Sequence, residues 1–165
     1  MANKIARLAA LPEDYKRLGL SKEPALWEDG HRTMAKFGSY EWWYFDGKMN
    51  DGSSLVIVYY TQPVTAIAPS YAPSVTFSLT KDGKHIQDSV TAKMKDCAFD
   101  RTKCDVKVGS SFCRGDLKNY VLHYESEKVQ ADVTLKASAA SWRPKTGHFL
   151  FDEKKLFALL PSVHE

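Results

Sequence analysis

At 165 residues, with 44% hydrophobic and 26% charged side chains, the chain has the size of one domain and an ordinary globular composition. That argues against a disordered polymer and against a membrane span. The formal charge of +3 arises from 23 basic and 20 acidic residues spread along the chain. Basic residues go no further than pairs such as Lys154-Lys155, so the electrostatic footprint of a nucleic-acid binder is absent.

Aromatic residues make up 12% of the chain, as eight Tyr, eight Phe and four Trp, which suits both pleated strands and apolar ligand pockets. The apolar run within Met1 to Leu11 is too short for a signal-peptide core, and no stretch reaches the length of a spanning helix. These features predict a soluble, cytoplasmic chain, with a secreted or periplasmic form after leader removal as the alternative. Cys97, Cys104 and Cys113 are odd in number and lack metal-ligand spacing, which predicts reduced thiols over a Cys97 to Cys104 bridge. The five histidines, His31, His85, His123, His148 and His164, are isolated in sequence, so no metal site is expected. Dinucleotide, Walker, serine-hydrolase and zincin motifs are all missing, and no cofactor is expected.

In chain order, the segment 1–38 reads as irregular, with one short helix or turn. Pro12 opens it, Glu13 and Asp14 favour the positive end of its dipole, and Gly19 ends it. From residue 39 the hydrophobic period becomes two. Tyr40 to Met49 and Ser54 to Thr61 form strands around Asn50-Asp51-Gly52. The run Leu55 to Tyr60 is apolar on both faces, so the N-terminal segment is expected to cover one of them. Beyond the Pro63 to Pro73 loop, Val75, Phe77 and Leu79 alternate with polar residues up to an Asp82-Gly83 turn, and Val90, Ala92 and Met94 continue the pattern. Short strands follow at Cys104 to Val108, Ser111 to Arg114 and Tyr120 to Glu125, then the long alternation Val129 to Ser138. His148 to Phe151 and Lys155 to Leu160 close the chain around Asp152-Glu153. Arg143, between Trp142 and Pro144, reads as a residue of a solvated loop, with a partner's carboxylate as the alternative contact. The expectation is an all-β, antiparallel, lipocalin-like barrel of about 8–10 strands over 39–165, with 1–38 packed on it.

The most informative segment runs from Gly38 to Gly47. In a strand, Glu41, Trp43 and Phe45 share one face while Trp42, Tyr44 and Asp46 share the other, so a carboxylate and a large ring enter the interior together whichever face is inside. A carboxylate walled by rings is desolvated, which raises its pKa and suits it to proton transfer. The plain alternative is that Glu41 bonds a neighbouring backbone or Arg and the rings are core.

The run YEWWYFDGKMNDGSSLVIVYY (Tyr40 to Tyr60), with APSVTFSLTKDGK and the closing FALLPSV, resembles the N-terminal part of the AttH-like and hydroxyneurosporene synthase (acyclic carotenoid hydratase) family. Fungal lipocalin-like Diels-Alderases carry a similar WWYFD signature. The resemblance covers most of Trp27 to Val163. It implies the first of two tandem lipocalin-like barrels, acting on polyenes or polyketides without metal or organic cofactor. The family's second barrel, with its His-Asp-His-Asn-Trp-Gly-like motif, would begin beyond Pro161-Ser162-Val163. The chain therefore reads as a shortened piece or a single-barrel relative. Of the family's cavity motif, Glu41, Trp42, Trp43, Tyr44 and Asp46 are matched.

Three functions compete. The first is a cavity that binds a hydrophobic polyene, isoprenoid or polyketide-like molecule, as part of a cofactor-independent hydratase or cyclase. In it Glu41 is the catalytic acid and Trp42, Trp43, Tyr44, Asp46, Tyr59 and Tyr60 are ligand-binding. The second is a non-catalytic lipocalin-like carrier. The third is a carbohydrate-binding β-sandwich, which would need Trp42 or Trp43 exposed to solvent. Self-association, or docking to a second lipocalin-like domain, is expected if the family's inter-barrel face is present.

Overall fold

The computed structural model describes residues 6–33, 39–63 and 72–151, and the backbone of 155–159. Expectations resting on Gly38, on the interior of the Pro63 to Pro73 loop, on the Asp152-Glu153 turn and on Pro161-Ser162-Val163 lie outside the described residues.

The described chain is mainly antiparallel β, as the period-two pattern predicts. A short strand β1 (Ala6–Leu8) precedes the one α-helix found among the described residues, α1 (Pro12–Leu18), and a 3-10 turn follows at Leu26–Asp29. The helix obeys its sequence signals. Pro12 sits at its start, where no N–H is needed, and Gly19 caps its end in the left-handed region at φ 68°, a conformation that costs glycine little. Asp14 accepts hydrogen bonds from the backbone N–H of Ala10 and Leu11 and pairs with Arg7 at 2.7 Å.

Next come β2 (Trp42–Lys48), β3 (Ser54–Tyr60), β4 (Ser74–Lys81) and β5 (Lys84–Thr91), which form one sheet in that order. Their turns are local chemistry. Gly52 takes φ 83° in the five-residue connection between β2 and β3, and Asp82 and Gly83 both take positive φ between β4 and β5, the latter the signature of a type I′ hairpin. Because that turn has only two residues, β5 must begin at Lys84, earlier than the apolar pattern suggests. Its first half is polar and Ile86 is exposed, as befits a terminal strand. Met94 lies instead in a second 3-10 turn, Met94–Asp96.

The second sheet holds β6 (Cys97–Phe99), β7 (Cys104–Val108), β8 (Ser111–Gly115), β9 (Asn119–Glu125) and β10 (Gln130–Lys136), in reverse chain order. β11 (His148–Phe151) is the middle strand of a third sheet, paired with β1 on one side and with β12 (Lys155–Leu159) on the other. The N-terminal segment thus shares a ladder with the last strands, with Ala6 opposite Phe151 and Leu8 opposite Phe149. Three residues are too few to show a period, so β1 is not legible beforehand.

Among the described residues no ladder joins the four-stranded to the five-stranded sheet. The two meet through side chains in one core containing Trp43, Ile57, Tyr59, Val75, Phe77, Val106, Cys113, Tyr120, Leu122 and Tyr124. The Tyr59 hydroxyl crosses the interface, 2.7 Å from the carbonyl oxygen of Phe112 and 2.9 Å from that of His123, and donates to them. Burial of this hydroxyl pushes its pKa well above the ordinary phenol value. Tyr124 stacks on Phe77 at 5.1 Å, and burial pushes its hydroxyl up to about 12. The thiols of Cys104 and Cys113 are both buried, 3.9 Å apart and free, and Cys97 is also free.

Arg143 departs from the sequence expectation. It is buried, not solvated. Its guanidinium donates to the carbonyl oxygens of Ser21 and Lys22 at 2.6 and 3.0 Å and lies 3.2 Å from the Glu28 carboxylate, which is buried as well. The partner of Arg143 is therefore the chain's own N-terminal segment, folded back over 121 residues to Lys22.

Candidate functional site

β2 is the centre of the EWWYFD segment, and its pleat divides the candidate residues between two faces. Trp43 points inward and is 6% exposed, and Phe45 packs beside it. Trp42 and Tyr44 point outward at 45% and 55% exposure. Tyr59 and Tyr60, adjacent on β3, separate in the same way. Tyr59 is fully buried, and Tyr60 lies across from Trp42 on the outer face. Asp46 is exposed on that outer face, opposite Val56. One cavity cannot gather all seven expected residues, because neighbours in a strand diverge.

Inside, the space between the sheets is occupied by protein. Trp43 stacks on Phe99 with ring centres 6.0 Å apart, and Phe45 meets Tyr120 at 5.5 Å and Tyr59 at 6.3 Å. The indole Nε1–H of Trp43 donates to the carbonyl oxygen of Asp29 at 2.9 Å, and the Tyr120 hydroxyl donates to the Asp29 carboxylate at 2.6 Å. Asp29 therefore ties both sheets to the 3-10 turn. On the outer face of β3, Val58 is buried as well. The packing around the turn is close. A Cβ on Gly30 would sit 2.7 Å from the Arg101 carbonyl carbon, and one on Gly115 would meet the Tyr120 ring.

Glu41 stands just before β2. Its carboxylate accepts the backbone N–H of Arg32 at 2.9 and 3.0 Å, and the backbone N–H and hydroxyl of Thr33, both at 2.9 Å. His31 Nε2 is 3.5 Å from the same carboxylate. A general acid or base must direct a free proton or lone pair at a substrate, whereas these oxygens are engaged by the chain itself. The arrangement anchors residues 31–33 to β2. His31 also lies against Phe99 and Trp43, and Arg32 covers the Trp27 ring at 4.6 Å. None of His31, Thr33, Asp29 and Tyr120 carries a sequence signal, since each is lone among ordinary neighbours.

Burial holds the His31 imidazole below its usual value of 6.5, with Arg101 and Arg32 adding to the effect and Glu41 opposing it. His148 is lowered in the same sense, chiefly by burial. A base whose folded pKa is depressed takes its proton first in the unfolded chain, so the stability it permits is complete above about pH 6.5 and falls as pH drops towards the folded value. His123, raised by Asp132, acts in the opposite sense. The expected outcome is that urea midpoints for His31→Gln and His148→Gln fall less than that of the unmodified protein between pH 7.5 and 5.5. Equal slopes would remove both rings from the linkage.

Outside, Tyr40 and Trp42 stack with centres 5.3 Å apart and planes within 11°, and Tyr44 continues the row. Tyr40 is 41% exposed. Across the sheet this face carries Asp46, Val56, Ser78 and Gln87 in one register row and Tyr44, Val58, Thr76 and Ser89 in the next. A flat aromatic strip with the Asp46 carboxylate at its end can take a planar or extended molecule against it. A separate, open recess of about 730 Å³ lies beside Lys93, Lys95, Cys97 and Lys107, away from β2.

No helix among the described residues is long and apolar enough to cross a membrane. Comparison with known proteins assigns the chain to no group: no family model, no curated protein and no solved structure matches it.

Proposed function

We propose that the chain is a non-catalytic binding module that takes an apolar small molecule of polyene, isoprenoid or polyketide type against the outer face of β2. On this reading the two larger sheets are the walls of a flattened lipocalin-like barrel whose lumen is filled by its own side chains. The resemblance of Tyr40 to Tyr60 to the acyclic carotenoid hydratase family suggests the ligand class. The observation that carries the proposal is the exposed row Tyr40, Trp42 and Tyr44 outside a filled interior. Contiguous exposed rings mark interaction sites more often than bare surface. Because one face of the ligand stays in water, affinity should be modest, on the order of 10–100 µM.

Farnesol is a suitable probe, with tryptophan fluorescence as the readout. Trp42→Ala and Tyr44→Ala should each weaken binding by about tenfold, while Trp142→Ala, at the other strongly exposed indole, should leave it unchanged. Unchanged farnesol binding in both β2 variants would overturn the proposal. A carbohydrate is the second reading, favoured by the flat, exposed Tyr40 and Trp42 pair, with the Asp46 carboxylate further along the same face of β2. A sugar ring offers apolar C–H groups to an indole, and the next ring of an extended chain can offer hydroxyls to a carboxylate. Saturable quenching by cellohexaose, with none by farnesol, would establish that reading in place of the first.

A further inference from the structure

The free side of β2 carries information of its own. Thr61 N–H donates to the Glu41 carbonyl at 2.9 Å and Met49 N–H donates to the Ser53 carbonyl at 2.8 Å. In an antiparallel ladder such pairs alternate, so Trp43, Phe45 and Gly47 turn their backbone groups towards β3. Trp42, Tyr44, Asp46 and Lys48 then turn theirs outward. Among the described residues no strand pairs on that side. Asp46, Gly47 and Lys48 are exposed, and a Cβ on Gly47 would meet nothing within 4 Å.

Native proteins blunt such edges with bulges, prolines, very short strands or charged side chains, and here the two charges, Asp46 and Lys48, are of opposite sign and can face each other's strand. Over its seven residues β2 has an unbroken register and no proline, and its outward residues are self-complementary. If a second copy approaches antiparallel about a two-fold axis at Phe45, full overlap sets Trp42 against the partner's Lys48 and Tyr44 against the partner's Asp46. The first is a cation over an indole face and the second a phenol beside a carboxylate. Each contact occurs twice by symmetry, and Phe45 meets the partner's Phe45 on the axis. All outward N–H and C=O groups of Trp42, Tyr44, Asp46 and Lys48 find partners in this register. A shift of two residues loses a pair of them and brings Tyr44 against the partner's Tyr44 in one direction or Asp46 against the partner's Asp46 in the other, and both leave the indole without its cation.

We infer that β2 is a homodimerisation edge, across which two copies of this chain join their four-stranded sheets into one continuous eight-stranded sheet. The inference rests on the backbone of the strand's edge and stands without the ligand reading, although the partner's Lys48 and a ligand compete for the Trp42 ring. One strand pair buries less than the roughly 1,200 Å² of a standard interface, so the dimer is weak and forms at about 0.1–1 mM protein.

Sedimentation velocity from 10 µM to 1 mM tests it, with a shift from monomer to twice the monomer mass expected. Asp46→Pro removes an outward N–H without touching the β3 ladder, since proline is tolerated on the free side of an edge strand, and it should keep the protein monomeric throughout. Asp46→Lys, which lines the seam with like charge, should do the same and keeps the outcome readable if the proline variant fails to fold. Register is read by mixing Tyr44→Cys and Asp46→Cys proteins in a Cys97→Ser background under mild oxidation. The mixed disulfide dimer should dominate over the Tyr44→Cys homodimer. A monomer at 1 mM, a dimer that survives both Asp46 variants, or a dominant Tyr44→Cys homodimer would each overturn the inference.

Discussion

Arg143→Met is expected to destabilise the fold by about 3–5 kcal/mol, the usual cost of removing one partner from a buried ion pair. In this variant the Glu28 carboxylate stays buried with its Ala25 N–H donor but without the cation, and the carbonyls of Ser21 and Lys22 lose their donor as well. For a chain of this size the melting temperature should fall by about 6–20 °C. Much of the loss is the penalty for an orphaned charge, so Glu28→Leu combined with Arg143→Met should recover a large part of it. A shift under about 2 °C in the single variant would show that the guanidinium holds nothing in place.

Trp43→Ala should cost about 3–5 kcal/mol through the cavity it leaves. The stack on Phe99 and the bond to the Asp29 carbonyl go together, and the 3-10 turn loses one of its two ties to the sheets. Trp42→Ala, one residue away, should fall within about 0.5 kcal/mol of the parent, as exposed substitutions do. Chemical unfolding of the two variants therefore reads the direction of the pleat directly. Comparable losses in both would mean that Trp42 packs against something substantial on the outer face.

The same pair shows how far the sequence reaches. A period of two says that Trp42 and Trp43 part company but not which of them is core, because the segment is aromatic on both sides. Trp42 to Phe45 is legible as a strand, and the acid just before it is legible as unusual. The donors around that acid come from residues 31–33, whose only distinction is spatial. Hairpins are legible where the turn is local chemistry, as at Asn50 to Gly52 and Asp82-Gly83. They blur where a terminal strand is polar on both faces, as in the first half of β5. The buried Glu28 and Arg143 pair is illegible, since its two halves belong to distant segments that look solvated when read alone.

The small sheet of β1, β11 and β12 has a kinetic corollary. Its ladder from Ala6 to Phe151 closes nearly the whole chain into one loop, the contact with the highest entropic cost to make. It should therefore assemble after the hairpins of the other two sheets. By the same reasoning, the amides of Ala6 to Leu8 should exchange with solvent through local opening, well before those beneath Tyr59.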